Sequence, residues 1–167
     1  MPAFRSIRQV MSLPEHGNAS HFCRRAATIA GICAITSMTL AHAAEATYRV
    51  VGDAIAEPLA AAGDAARGRQ LALDRSGGAC VLCHALPEAG ARFMGTVGPA
   101  LNGVGSRYTA AQLRLRIVDS TRLKADAVMP AYYRSEELNQ VATPYRGRTI
   151  LTAQQVEDVV AYLGTLR

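Results

Sequence analysis

The amino-acid sequence predicts an all-α fold. Two segments begin with a capping box, in which a threonine and the glutamine three residues later each bind a backbone amide of the other: Thr109 with Gln112, and Thr152 with Gln155. The second box opens an amphipathic segment with apolar residues at positions i, i+3, i+4 and i+7, namely Val156, Val159, Val160 and Leu163. Helices are therefore expected to build the core.

The first 43 residues are predicted to be a secretory signal peptide. A basic part that includes Arg24 and Arg25 precedes an uncharged stretch, AATIAGICAITSMTL, and the small-x-small site Ala41-His42-Ala43. A membrane anchor is the alternative, but this apolar run is short for a bilayer span. We therefore expect export to the periplasm without stable membrane insertion.

Removal of residues 1–43 changes both the charge and the set of possible ligands. It leaves 14 basic and 12 acidic residues, a net charge of +2, compared with +5 for the whole chain. A nearly neutral protein gives little support to a nucleic-acid partner. One histidine and two cysteines remain, all in the sequence Cys80-Val81-Leu82-Cys83-His84.

The remaining chain is predicted to consist of an N-terminal extension, residues 44–63, and a domain, residues 64–167. The Ala-rich part of the extension reads as an exposed lead-in. The first helix is expected over residues 64–73, with Asp64 as its N-cap. Gly68 lowers the helix propensity there, so it is either a tolerated exposed glycine or a point where another helix comes close.

The sequence Cys80-x-x-Cys83-His84 is the attachment signature of c-type haem, in which two thiols form thioethers and the histidine binds the iron. A zinc ribbon would need a second Cys/His pair, which the exported chain lacks. A thioredoxin-type pair would need a βαβ unit, and no strand pattern lies nearby. A disulfide between such close cysteines would be strained. One covalent haem c is therefore the favoured cofactor.

The sixth iron ligand has to come from another residue type. Met94 lies ten residues after His84, which is a short tether for reaching the far face of a haem. Met129 lies 45 residues after His84 and precedes Pro130, which favours an extended loop. Met129 is therefore preferred, although ligation by Met94, or by neither, stays open. A His/Met pair favours electron transfer over catalysis or gas binding.

The later elements follow from the capping boxes. A helix is predicted over residues 109–119, with Arg114 and Arg116 on a solvated face. Residues 130–151 show no clear period, and so long a segment is either functional or contains a short helix. The final helix follows the second capping box.

This order of elements resembles that of the class I cytochromes c over residues 64–167. In that family the first and last helices cross at a small residue, which implies that Gly68 faces Tyr162. The family's Gly-Pro pair matches Gly98-Pro99, which implies that the Pro99 carbonyl accepts a hydrogen bond from His84 Nδ1.

Longer runs resemble the SoxX family, the monohaem subunits of SoxAX sulfur-oxidation cytochromes: GPALNGVGSRY, LRLRIVDSTRL, VMPAYYR and ATPYRGRTILTAQQVEDVVAYL. The resemblance implies the electron-transfer subunit of an L-cysteine S-thiosulfotransferase. Its implied partners are a SoxA-type cytochrome with one or two haems, a carrier protein that bears the acceptor cysteine, and a small acceptor cytochrome c. Catalysis is expected on SoxA, because haem consumes both remaining cysteines of this chain.

Two other functions stay open. One is a free-standing electron shuttle, and the other is a haem enzyme or gas sensor with an open iron.

We expect residues 130–151 to lie at the haem edge or at a partner interface. Arg107 and Tyr108 are candidates for haem propionate contacts, with a plain surface position as the alternative. Tyr132 and Tyr133 fit either the haem crevice or the core.

Overall fold

Four α-helices form the regular part of the structure. The computed structural model describes residues 47–167, so the predicted signal peptide lies outside the described residues. The helices are α1 (Ala65–Leu73), α2 (Val104–Arg107), α3 (Ala110–Asp119) and α4 (Ala153–Thr165), and short 3₁₀ turns lie at Cys80–Leu82, Ser120–Arg122 and Thr143–Tyr145. The only β-structure within 47–167 is one isolated bridge. The all-α prediction is confirmed.

The predicted helix starts are also confirmed. Asp64 caps α1 by accepting a hydrogen bond from the Arg67 amide at 2.8 Å. Both capping boxes form in full at the starts of α3 and α4. Since each cap satisfies amides that the helix itself leaves free, these three starts are determined by local sequence.

Helices α1 and α4 cross at Gly68. A side chain at this position would overlap the backbone carbonyl of Asp158 and press against Cβ of Tyr162. The close approach of the two backbones therefore requires glycine. The prediction that another helix comes close at Gly68 is confirmed, and the alternative of a tolerated exposed glycine is not.

The Ala-rich segment before α1 has exposed alanines, as predicted, but it also packs on the helices through two buried apolar residues, Ile55 and Leu59, and at these two the prediction of an exposed lead-in was wrong. Ile55 is 0% exposed, and its amide donates to the Ala111 carbonyl at 3.1 Å. The Leu59 amide donates to Glu157 Oε1 on α4 at 3.0 Å. Apolar side chains and backbone donors of this segment thus contact α3 and α4 together.

Arg114 is buried, and its predicted place on a solvated face was also wrong. Only 5% of the residue is exposed, and its guanidinium donates two hydrogen bonds to Glu157, at 2.7 and 2.8 Å. A third hydrogen bond, at 2.7 Å, reaches the Ile55 carbonyl. A buried charge needs this full set of partners, since an unpaired one would be very unfavourable.

Within residues 47–167, no helix has both the length and the apolar character that crossing a bilayer requires.

Candidate functional site

A cavity of about 600 Å³ lies between α3, α4 and the loops that follow α1 and α3. Apolar side chains make up most of its wall, including Leu101, Leu113, Ile117, Val159 and Leu163. The same cavity is lined by every predicted site residue: Cys80, Cys83, His84, Pro99 and Met129. The fold therefore brings together residues that are up to 49 positions apart in the chain.

The Cys-x-x-Cys-His sequence forms a tight turn at one part of the wall. The 3₁₀ turn Cys80–Leu82 is closed by a hydrogen bond of 2.9 Å from the His84 amide to the Cys80 carbonyl. Both cysteines are free thiols and partly exposed. Burial raises the pKa of the Cys80 thiol to about 11, so that thiol is protonated at neutral pH. The turn presents both thiols and the imidazole to one space.

A glycine-rich loop, residues 95–103, runs beside this turn and is hydrogen-bonded to it at several points. Three amides of the loop, those of Gly95, Gly98 and Leu101, donate at 2.8 to 2.9 Å to carbonyl oxygens of residues 81, 83 and 85. A side chain at Gly98 would overlap the imidazole ring of His84. Glycine at this position is what lets the loop backbone lie flat against the ring.

The orientation of His84 is set by Pro99. His84 Nδ1 lies 2.7 Å from the Pro99 carbonyl oxygen, the contact that the class I resemblance implied. A carbonyl only accepts hydrogen bonds, so Nδ1 carries a proton, and in the neutral form of the ring the lone pair is then on Nε2. A neutral imidazole held in this way is suited to bind a metal through Nε2.

The two candidate methionines have different surroundings. Met129 is half-buried, lies outside any helix and lines the cavity. Its carbonyl accepts a hydrogen bond from Ser120 Oγ at 2.9 Å. Met94 is absent from the cavity wall, and its sulfur accepts a hydrogen bond from the Leu86 amide at 3.1 Å. The geometry favours Met129 as the sulfur that faces a bound group.

Part of the segment at 130–151 lies at the cavity. Pro130, Tyr132 and Leu151 line it. The Tyr132 hydroxyl donates to the Gly78 carbonyl at 2.7 Å, which links the chain after Met129 to the chain before Cys80. Burial raises the pKa of Tyr132 above its usual value, so the hydroxyl stays a donor. Tyr133, in contrast, is a core residue beside the ring of Tyr48.

Three basic side chains line the cavity, namely Arg107, Arg116 and Lys124. Among the described residues of the wall there is no acidic side chain. Arg107 donates to the carbonyls of Ala100 and Asn102, and Arg116 lies 3.9 Å from the centre of the Tyr108 ring. Sequence reasoning missed Arg116 and Lys124, because only the fold brings them to the cavity.

The wall suits a covalently attached haem. Two thiols and an imidazole share one turn, a thioether lies in the same cavity, and apolar side chains supply most of the remaining surface. The three basic residues of the wall match the two propionate groups that a haem carries, and the carboxylates nearest to two of them, Asp53 beside Arg116 and Asp126 beside Lys124, lie outside the wall. Each chemical part of haem c thus has a complement among the residues present.

Comparisons with known proteins agree with this assignment. The cytochrome c family model matches residues 65–167. A chain in the crystal structure of SoxXA from P. pantotrophus is similar to this protein, with 33% sequence identity and a TM-score of 0.66. The similarity covers 71% of this chain and 93% of that one. No curated protein sequence gives a match.

The family match extends over the helices and the cavity, and the structural match covers nearly the whole of its counterpart. The predicted resemblance to the SoxX family, the predicted fold class and the predicted cofactor are therefore confirmed. The chain belongs to the cytochrome c family, as a SoxX-type class I cytochrome c with one covalently bound haem c.

Proposed function

We propose that this chain is the electron-transfer subunit of a periplasmic SoxXA-type L-cysteine S-thiosulfotransferase. One observation carries the proposal: every residue proposed to hold the haem lines one cavity, in a chain that is 33% identical to a chain of a SoxXA structure over 93% of that chain. Among the described residues, no further thiol lines the cavity that would be free to react with a sulfur substrate. The site is suited to moving electrons and not to sulfur chemistry.

Each residue of the site has its own proposed role in binding the haem. Cys80 and Cys83 would form the thioethers, and His84, through Nε2, and Met129, through its sulfur, would bind the iron. Pro99 keeps the imidazole oriented. The haem, when bound, accepts and releases one electron at a time. Because His84 and Met129 would both bind the iron, they would keep other ligands away from it.

The reaction belongs to the complex and is balanced across it. A SoxA-type partner with one or two haems joins thiosulfate to the cysteine thiol of a carrier protein. One sulfur–sulfur bond forms, the thiol proton is released, and two electrons leave. This chain accepts the electrons in single steps and passes them to a small cytochrome c. Its own residues take no catalytic part.

Export and domain boundaries belong to the same proposal. Residues 1–43 direct the chain to the periplasm and are then removed, and residues 64–167 form the cytochrome c domain. Haem attachment outside the cytoplasm requires the chain to cross in an unfolded state. The segment at 44–63 stays with the mature protein, where its described part packs on α3 and α4.

The partner is expected to dock at the cavity rim, where Val97 and Val128 are 71% and 81% exposed. Electron transfer requires a short path, and exposed apolar side chains at the rim provide an interface that excludes water. Phe93 is 88% exposed but does not line the cavity, so it offers a matched control.

Co-expression with a SoxA-type partner, followed by size-exclusion chromatography, tests the proposal. We expect a heterodimer that carries electrons from the partner's haem to this chain. Val97→Glu and Val128→Glu should weaken the heterodimer, whereas Phe93→Glu should leave it intact. A protein that elutes alone at every concentration, yet still exchanges electrons with a small cytochrome, would instead be a free-standing shuttle.

A further inference from the structure

The loop that carries Met129 leaves α3 and returns to the end of the same helix. We define the methionine loop as residues 120–131, directly after Asp119, the last residue of α3. The amides of Tyr132 and Tyr133, which follow the loop, donate to carbonyl oxygens of the last turn of α3 at 3.1 and 3.2 Å. Both ends of the loop are therefore fixed at one point of the fold.

The carboxylate of Asp119 lies at that point and is 0% exposed. Its Oδ1 accepts hydrogen bonds from the amide and the hydroxyl of Thr121, at the start of the loop. Its Oδ2 accepts a hydrogen bond from Arg134 Nη1 at 3.0 Å, just beyond the end of the loop. Arg122 Nε is 3.6 Å away on the exposed side. One buried carboxylate thus joins the two ends.

The connection continues to the methionine itself. Ser120 lies between Asp119 and Thr121, so its backbone is fixed by the contacts on both sides. Its hydroxyl donates to the carbonyl oxygen of Met129 at 2.9 Å. The position of the Met129 backbone therefore depends on Asp119 through a single intermediate residue.

We propose that Asp119, paired with Arg134, is a positioning residue that keeps Met129 on the haem iron. The inference rests on the proposed role of Met129 as the sixth ligand. Asp119 does not contact the haem cavity, and it acts through Ser120 on the loop. Its charge matters because hydrogen bonds to a buried carboxylate are stronger than those to a neutral group.

Ligand exchange on the oxidised holoprotein tests this inference. Asp119→Asn keeps the side-chain volume and removes the charge, and Arg134→Gln removes the partner cation. Each variant should bind imidazole to the ferric iron about tenfold more tightly than the wild type, since loss of one charge-assisted hydrogen bond raises the population of the methionine-off state by about this factor. The reduction potential should fall in parallel, and Arg134→Lys should restore much of the wild-type behaviour.

Two further variants separate the possible failures. Asp158→Asn removes an equally buried carboxylate at the contact of α1 and α4, so it should lower stability without changing imidazole binding. If it raises imidazole affinity as much as Asp119→Asn does, general destabilisation explains the effect and the inference is overturned. Met129→Ala lacks the proposed sixth ligand altogether, so its imidazole affinity is the highest that loss of this ligand can produce. If the wild type already binds imidazole as tightly as this variant, the proposed ligand itself is wrong. If only Met129→Ala changes the affinity for imidazole, Met129 is supported as the ligand, but the proposed role of Asp119 is overturned.

Discussion

The two segments that supply the proposed axial ligands are held in place differently. His84 belongs to a short turn whose cysteines, glycine-rich loop and Pro99 carbonyl all lie between residues 80 and 103, and backbone hydrogen bonds connect the turn to the loop. Met129 lies in a loop that backbone hydrogen bonds join to α3 only at its end, and the Met129 backbone itself is held by a side chain, that of Ser120, next to the pair of Asp119 with Arg134. The histidine side is therefore rigid by its backbone, whereas the methionine side depends on a few polar contacts that can open separately.

The largest expected effect comes from removing the covalent anchors on the histidine side. The double variant Cys80→Ala, Cys83→Ala should lose all covalently held haem, because no other thiol lines the described part of the cavity. Haem staining after denaturing electrophoresis measures this. Met129→Ala is the control and should keep its stain. A stained band from the double variant would contradict the assigned attachment.

The next largest effect should come from the methionine side. Met129→Ala opens one axial position, so the reduced protein should bind carbon monoxide, which the wild type should not. Met94→Ala should behave as the wild type does, because that sulfur accepts the Leu86 amide and lies away from the cavity. Difference spectra under carbon monoxide check both variants. Binding by Met94→Ala alone would reverse the assignment.

A methyl group tests how rigid the histidine side is. Gly98→Ala places Cβ into the imidazole of His84, and the clash should lower the free energy of unfolding by about 3 kcal/mol. Gly164→Ala is the matched control, since a Cβ there meets nothing within 4 Å. Denaturant titration of both holoproteins gives the comparison. Equal stability of the two variants would show that the loop yields easily.

The smallest expected effect, on the pH dependence of the free energy of unfolding, comes from the contact of α1 and α4, away from both proposed iron ligands. Hydrogen bonds from Arg67 hold the pKa of Asp158 at about 2, below its ordinary value of 3.8. Because the folded state lowers this pKa, the stabilisation is complete above about pH 4 and is lost as the pH falls towards 2. It amounts to about 2 kcal/mol. Acid titration of unfolding should show this loss in the wild type and a smaller one in Asp158→Asn. Identical pH curves would contradict the assignment.

Sequence reasoning reached the parts of the fold that are locally encoded. The starts of α1, α3 and α4 depend on caps and partners within three residues, and all three were found. The crossing of α1 and α4 at Gly68 was found through the family resemblance. Of the site, the predicted residues all line one cavity, since the Cys-x-x-Cys-His sequence and a short ligand inventory restrict the choice strongly.

The errors arose where a residue's role depends on a distant one. Arg114 reads as a surface arginine until Glu157, 43 positions later, is placed beside it. The Ala-rich lead-in reads as exposed until Ile55 and Leu59 meet α3 and α4. The contacts of Asp119 have the same character, since neither Ser120 nor Arg134 shows from the sequence that it serves Met129.

The contact between Leu59 and Glu157 also bears on how the protein is made. A ribosome makes a chain from its N-terminus, so residue 59 emerges 98 positions before the carboxylate that its amide needs. Until α4 arrives, neither Arg114 nor α1 has its main partner, and the domain cannot close. The domain is therefore still open when Cys80 and Cys83 have been made. Both thiols are thus made before the contacts that close the domain can form.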